Sequence, residues 1–340
     1  MDWRRAEPLL SRNTLALAAT AAALVEVRDE LQLQAALNRA RAEGLAVLPL
    51  GGGSNVVLAG DLEALVLCQA GGRIEVLQEV AGEVLLRVSA ACDWHDLVTR
   101  CLQRGWYGLE NLALIPGQVG DAPSQTIGAY GVEFEHFVRE VHAVDLETGE
   151  RLQLSTSECR FGYRDSIFKG ELRDRVVITA VDIALAQEPR CQLAYPALRE
   201  ELVARGVREP MPQDVFEAVV AVRRRRLPDP AREPNAGSFF KNPVLSAAHA
   251  SELAARHPEM PAYEQDDGSV KLPAAWLIEQ CGWKGRREGG VGTHPAHALV
   301  MVHYGGSSGA DLLGVADRIV AEVRRRFDVV LEMEPRVYGR

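Results

Sequence analysis

Apolar and polar positions along the 340-residue chain switch repeatedly between a helical and a strand period, which predicts a mixed α+β protein. Over Asp29 to Glu43, Leu31, Ala35, Leu37 and Ala40 fall close to helical spacing, and the pattern stops at Gly44. Leu45 to Leu50 reads as a short buried strand running straight into Gly51-Gly52-Gly53-Ser54-Asn55. Arg73 to Glu79 and Val84 to Ser89 read as a hairpin pair, and a helix is predicted from Asp93 to about Arg104. Between Gly105 and Glu135 the chain is loop-like and glycine-rich, too long for an idle connector. Val138 to Leu146 and Arg151 to Leu154 form a hairpin around Thr148-Gly149, and Val176 to Leu185 is a further strand.

Val215 to Arg226 is helical, with Val215, Phe216, Val219, Val220 and Val222 on one side, and it ends at Leu227-Pro228-Asp229-Pro230. That proline-rich segment is the expected domain boundary. Beyond it the pattern predicts a helix near Ala247 to Arg256, a hairpin at Asp267-Gly268, a helix opened by Pro273 and a strand from Ala298 to His303. Ser308 with Asp311 three residues on reads as a capping-box start. The long helix behind it carries Leu312, Val315, Ala316, Ile319, Val320 and Val323 at the 3.6 period, and Val329 to Glu332 reads as a last strand.

Composition narrows the class. Apolar residues at 47% suffice for cores, and the formal net charge of −9 disfavours a general nucleic-acid or anionic-membrane binder. The length predicts about two domains. Six scattered cysteines without a Cys-x-x-Cys pair fit reduced core thiols, not a disulfide framework or zinc site. The apolar run Leu15 to Val25 is too short for a membrane span. It resembles a signal peptide superficially, but Asp2, Glu7 and Pro8 spoil the n-region, so a cytoplasmic protein is expected.

Two glycine-rich segments carry the first chemistry. Gly51-Gly52-Gly53 lets successive backbone N–H groups turn toward one point, an anion nest free of side chains. Neither a Gly-x-Gly-x-x-Gly nor a Gly-Lys-Ser/Thr pattern accompanies it, so the Rossmann and P-loop readings both fail. Alone it is more often a plain tight turn. The second segment, Ile115-Pro116-Gly117-Gln118-Val119-Gly120-Asp121-Ala122-Pro123 followed by Ile127-Gly128-Ala129-Tyr130-Gly131, changes those odds, because two such loops can wrap a dinucleotide through backbone contacts. Arg160 to Ser166, between two strands, suits an anionic substrate through Arg164, or is a surface turn with Arg164 paired to Asp165. In Asn235-Ala236-Gly237-Ser238 the serine is a candidate proton donor or a turn residue capping the backbone. No Gly-x-Ser-x-Gly elbow supports a nucleophile. Glu332 and Glu334 share a face, an arrangement that exposed strand carboxylates also explain. His294 and His297 have no partner cluster, so no metal is expected, and Arg223 to Arg226 fit the C-terminal end of a helix dipole.

Taken in order, Gly51 to Asn55, Ile115 to Gly131, Tyr163 to Ser166, Gly237 to Pro243 and Leu331 to Glu334 resemble the UDP-N-acetylenolpyruvoylglucosamine reductases, flavoenzymes of bacterial peptidoglycan synthesis. The resemblance covers nearly the whole chain. It implies an FAD-binding fold of the vanillyl-alcohol-oxidase (PCMH) type in residues 1–227, made of two α+β subdomains divided near residue 70. A separate α+β substrate-binding domain would span 228–327, and a terminal strand in 328–340 would return to the FAD part. FAD would be held by Gly51, Gly52, Gly53, Ser54 and Asn55, by Ile115, Pro116, Gly117, Gly120, Ala122 and Ser124, and by Ile127, Gly128, Ala129 and Tyr130.

The resemblance also implies the reaction: NADPH gives a hydride to flavin, and the enolpyruvyl ether of UDP-N-acetylglucosamine then receives it at the vinyl carbon. Ser238 matches the proton donor to the carbon bearing the carboxylate, and Arg164 and Glu334 match the pair that stabilises that carboxylate as negative charge grows. A glutamic acid donates a hydrogen bond there if its pKa is raised. Tyr195, Arg226 and Asn242 match positions that hold the UDP diphosphate, and His297 falls where some members have Gln. A monomer acting on a UDP-sugar, with no nucleic-acid or membrane partner, is expected. Three residues depart from the pattern: Asp121 where Gly or Ser is usual, Thr126 where Asn is usual, and Pro335 where Val is usual. Two other readings stay open, an oxygen-using sugar oxidase of the same fold and a non-catalytic nucleotide-sugar binder.

Overall fold

A computed structural model describes residues 1–340. In chain order its first strands are β1 (Trp3–Pro8) and β2 (Thr20–Val27), followed by helix α1 (Glu30–Ala42), β3 (Ala46–Pro49), β4 (Val56–Leu58) and β5 (Leu62–Gln69). The hairpin β6 (Ile74–Val80) and β7 (Glu83–Ser89) leads into α2 (Trp94–Gln103). The long glycine-rich stretch contains a short α3 (Asp121–Gln125) and the two-residue strands β8 (Gly128–Ala129) and β9 (Val132–Glu133). Then come β10 (Val138–Asp145), β11 (Arg151–Ser155), β12 (Val176–Ala186), α4 (Pro196–Ala204) and α5 (Pro212–Arg226). The remainder holds β13 (Asn235–Ser238), β14 (Val244–Leu245), α6 (Ala247–Arg256), β15 (Tyr263–Glu264), β16 (Val270–Lys271) and α7 (Ala274–Gln280). It closes with β17 (Arg287–Glu288), β18 (Val291–Thr293), β19 (Val300–His303), α8 (Gly309–Phe327) and β20 (Arg336–Tyr338).

The chain forms two compact units, one of residues 1–7, 21–53 and 63–225, the other of 8–20, 54–62 and 226–340. In the first unit, β1-β2-β5-β3 form one sheet and β11-β10-β12-β7-β6 a second, the latter antiparallel throughout. Helix α1 starts at Asp29, whose side chain accepts from the Gln32 N–H, and buries Leu33, Ala36, Leu37 and Ala40 against the first sheet. Leu31 and Ala35, expected on the buried stripe, are exposed, because the true stripe is turned about the helix to run through Leu33, Ala36, Leu37 and Ala40. The larger core is centred on Trp94, whose indole N–H donates to the Leu112 carbonyl at 2.8 Å and whose ring meets Phe134 edge-on. Burial pushes the Cys101 and Cys159 thiols in this core up to about 12, which leaves them inert as nucleophiles.

The second unit packs α8 and α7 beside the sheet β13-β19-β18-β17. The capping box at Ser308 and Asp311 is present, and Leu312, Val315, Ala316, Ile319 and Val323 form the buried face. Residues 8–20 are folded on themselves by Asn13, whose side chain donates to the Leu9 and Leu17 carbonyls and accepts from the Leu17 N–H. The loop is tied to this unit by Asn235 N–H to the Thr14 carbonyl and by the His303 ring against the Leu15 carbonyl.

The predicted last strand is corrected. Residues 329–331 pair with no strand, a short antiparallel bridge begins only at 332–334 against 239–241, and the strand itself lies later, with β20 pairing in parallel with β4. The apolar pattern was real, since Val329 and Leu331 are buried, but burial here comes without strand pairing. The division into units also differs from boundaries set at 227 and 327: 8–20, 54–62 and 328–340 all join the second unit, because β20 and the Asn13 loop pair with its elements.

In the first unit, Glu140, His142 and Asp182 converge, with ligand-type atoms within 4.8 Å of one another. Both Asp182 oxygens accept from Arg87 at 2.7 Å, which makes this an ion-pair network and not a vacant metal cage. Burial opposes ionisation of Asp182, but the Arg87 guanidinium and His142 outweigh it and hold the carboxyl below its usual range. A lowered carboxyl contributes stability fully above its unfolded pKa and loses it as pH falls through the folded value. Asp182→Asn is therefore expected to cost about 2 kcal/mol near neutrality and to flatten the acid loss of stability. Urea midpoints between pH 7 and pH 3 check this; an unchanged acid slope would contradict it.

Candidate functional site

Strand β3 delivers Gly51, Gly52 and Gly53 to the edge of the first unit's smaller sheet. The second glycine-rich loop meets them from residues 117–121, laced to the start of α2 by Trp94 N–H to Gly117 O, Val119 N–H to Cys92 O and Gly120 N–H to Ala90 O. A Cβ on Gly52 would stand 2.7 Å from the Gly117 Cα, so the two loops touch backbone to backbone and only glycine fits. Two amides, Gly52 N–H and Gln118 N–H, converge on one oxygen of Asp121 at 3.0 and 2.9 Å. The Asp121 carboxylate thus stands in for an anionic ligand oxygen and tests the cradle: these residues fit a phosphate group bound through backbone N–H donors. Burial pushes the Asp121 carboxyl up, against the pull of the Gln118 and Gly52 amides.

Backbone strain gathers beside this cradle. Leu114, Thr126, Tyr130, Arg160 and Arg164 all have φ between +47° and +59°, five of the nine non-glycine residues in that region. Each costs about 1 kcal/mol or more, so the surrounding contacts must hold them. Asn111 Nδ2 donates to the Tyr130 carbonyl at 2.9 Å. Arg164 donates to the Thr126 and Gly128 carbonyls at 2.9 and 2.8 Å and pairs with Glu133. The structure therefore brings Arg164 onto the Ile127–Tyr130 segment, with Tyr195 stacked edge-on against Tyr130 at 5.1 Å. The alternative pairing of Arg164 with Asp165 is replaced by this arrangement; Asp165 instead accepts from the Ser166 N–H. Ile115, Pro116, Ala122 and Ser124 lie on the same glycine-rich stretch, with Ala122 buried in the core.

Two cations here escaped sequence reasoning. Lys169 donates to the Arg164 and Gln125 carbonyls, behind Arg164. Arg223 is bonded to the Tyr130 side chain, and burial lowers its pKa while its Nε has no partner. Its signal was present: Arg223 continues the Val215, Val219 stripe of α5 one turn on, although the arginine run reads as a helix end.

Another constellation lies in the second unit. Gly237 has φ +68°, and its N–H donates to Asn235 Oδ1 at 2.8 Å, so a register shift in β13 turns Ser238 out to solvent. The extended segment 332–334 runs beside 239–241, joined by Glu334 N–H to Phe239 O and Lys241 N–H to Glu332 O, both 2.9 Å. Glu334 is thereby fixed one residue from Ser238 across a two-chain ladder. Lys241 Nζ neutralises Glu332 at 2.9 Å and so separates the roles of the two glutamates. Pro335 removes no needed donor, since Glu334 and Arg336 make the flanking bonds, the latter to the Asn55 carbonyl. Asn55 Nδ2 also donates to the Glu334 carbonyl, and the Ser54 carbonyl accepts from Thr14, both bonds lying within this unit.

Asn242 Oδ1 caps α7 through the Ala274 N–H at 2.9 Å. Burial lowers the His297 pKa, with the Arg226 charge next in effect, and its Nδ1 is a buried atom without a partner. Arg226 itself is exposed at the end of α5. The tight backbone contact of the first unit gives a sharp test: Gly52→Ala should weaken binding of FAD to the stripped protein at least about tenfold, read by quenching of flavin fluorescence. Unchanged affinity would remove the cradle from the cofactor site.

Comparison with known proteins accords with these two constellations. Residues 229–338 match the family model described as "UDP-N-acetylenolpyruvoylglucosamine reductase, C-terminal domain", and 21–155 match "FAD binding domain". Relatives named UDP-N-acetylenolpyruvoylglucosamine reductase include one from Pseudomonas putida, 44% identical over 99% of both chains. Another, from Xylella fastidiosa, is 47% identical over 99% of this chain and 97% of its own. The crystal structure of the reductase from Thermus caldophilus has the same fold, with TM-score 0.66 and 24% identity across 99% of this chain and 98% of that one. No helix is long and apolar enough to cross a membrane. The coverage by two family models and by relatives of equal length establishes that this chain belongs to the UDP-N-acetylenolpyruvoylglucosamine reductase family.

Proposed function

We infer that the chain is an FAD-dependent reductase that uses NADPH to convert enolpyruvyl-UDP-N-acetylglucosamine to UDP-N-acetylmuramate in peptidoglycan precursor synthesis. The observation that carries the reading is the ladder that sets Glu334 one residue from Ser238, with Ser238 exposed on a glycine turn. Bound FAD supplies a two-electron relay between NADPH and the vinyl carbon. The chain's own residues manage charge and protons. Ser238 gives its hydroxyl proton to the carbon bearing the carboxylate, and a solvent proton restores the hydroxyl. Arg164 is cationic at any physiological pH and offers bidentate donors to the substrate carboxylate while negative charge builds there. Glu334 acts with Arg164 on the enolic form of that carboxylate.

In the first unit, Gly51 to Gly53 and residues 115–120 would hold the cofactor phosphates through backbone N–H groups, and Gly128 to Tyr130 would line the flavin. Tyr195, Arg226, Asn242 and His297 would bind the UDP portion. The orphaned Nδ1 of His297 supports its role, since a buried ring nitrogen without a partner is satisfied by a polar ligand. Ser54 and Asn55 follow these glycines as cofactor-binding candidates, and Asn55 also bonds the Glu334 segment. The enzyme would act as a cytoplasmic monomer.

The test is an anaerobic titration of the flavin absorbance. NADPH should bleach it and enolpyruvyl-UDP-N-acetylglucosamine should restore it; bleaching without recovery would rule out the acceptor, and rapid turnover in air would favour a sugar oxidase. Ser238→Ala should then lower kcat by about 10²-fold or more, the contribution of a general acid, with bleaching by NADPH intact. Undiminished turnover would remove Ser238 from the proton-donor role.

A further inference from the structure

We propose that Asp121 is a built-in occupant of the phosphate cradle, an intramolecular anion that competes with FAD and secures the two glycine-rich loops when the cofactor is absent. The geometry is that of a ligand, not of a surface carboxylate. One oxygen takes both converging amides, Gly52 N–H and Gln118 N–H, and the other lies 2.1 Å from the point where a Gly51 Cβ would stand. Its partners are therefore the donors that a nest offers to an anion. Asp121 sits at the start of α3, on the loop tied to Ala90, Cys92 and Trp94, so its side chain links two segments that no backbone hydrogen bond joins at Gly52.

The energetic consequence follows from linkage. Whatever the carboxylate contributes to the cofactor-free protein must be given up when a phosphate takes the same amides, so stabilisation of the free form appears as lost affinity. A carboxylate that stayed in place would instead face a phosphate of like charge, which has the same sign of effect. Burial opposes ionisation of this carboxyl and so adds to the ease of displacing it.

The proposal rests on the cradle being the seat of the FAD phosphates, and the experiment separates the two. Full-length protein stripped of flavin is prepared as wild type, Asp121→Ala, Asp121→Asn and Gly52→Ala. Thermal midpoints are recorded without ligand, and affinities are measured for FAD, for ADP, which carries the two phosphates, and for riboflavin, which carries none. Asp121→Ala should tighten FAD and ADP by about tenfold or more, leave riboflavin unchanged, and lower the ligand-free midpoint; Asp121→Asn should fall between it and wild type on each measure. If Asp121→Ala does not fold, the Asn variant, of the same shape, carries the comparison. Equal or weaker FAD binding in the Asp121 variants would overturn the proposal, as would riboflavin tightening as much as ADP. Unchanged FAD affinity in Gly52→Ala would overturn the seat itself.

Discussion

The first unit depends on two loops approaching so closely that backbone meets backbone. Where Gly52 faces Gly117, any side chain would separate the segments, and with them the amides at Gly52 and Gln118 that point to one place. The neighbouring architecture serves this contact. Strand β3 fixes where the first loop begins, the bonds to Ala90, Cys92 and Trp94 fix the second, and the Trp94 ring anchors the helix behind both. A cradle of main-chain donors leaves side chains free for other duties: Arg164 and Asn111 hold the strained Thr126 to Tyr130 stretch by its carbonyls, and Lys169 holds the Gln125 and Arg164 carbonyls beside it.

Much of this was legible in the sequence because it needs only residue types at local spacing. The glycine loops, the capping box at Ser308, the helix opened by Pro273 and the turn before Ser238 all announce themselves within a few residues. What stayed hidden depends on distant partners. β20 is short and only moderately apolar, and becomes a strand because β4 lies beside it, whereas the more apolar Val329 and Leu331 are buried without strand pairing. Arg223 was masked by three arginines after it, and its role is set by Tyr130, far away in sequence. Asn55 adjoins the glycine nest in sequence, and its bonds to Glu334, 279 residues on, and to Arg336 leave no local signal.

The candidate site was legible to a similar degree. Residue pattern and resemblance made Ser238 and Glu334 candidates, and the ladder that joins Glu334 to Phe239 sets them one residue apart. Pro335 looked disruptive because a strand proline lacks an N–H, but the donors that matter belong to the residues on either side of it. Arg164 is more constrained than a surface turn suggests, since a left-handed backbone and two carbonyl acceptors orient its guanidinium.

The second unit is assembled from 8–20, 54–62 and 226–340, three separate stretches of polypeptide. The family boundary at residue 229 therefore marks a unit of inheritance and not a unit of folding. A fragment cut there would leave behind β4, against which Gly309 is packed so closely that a Cβ would lie 1.9 Å from the Leu58 carbonyl oxygen, and the Asn13 loop that receives the Asn235 amide. Its apolar surfaces would be uncovered where those segments belong. Neither unit can be excised, swapped or evolved as a cassette by a single pair of cuts, so changes in one are filtered through the integrity of the whole chain.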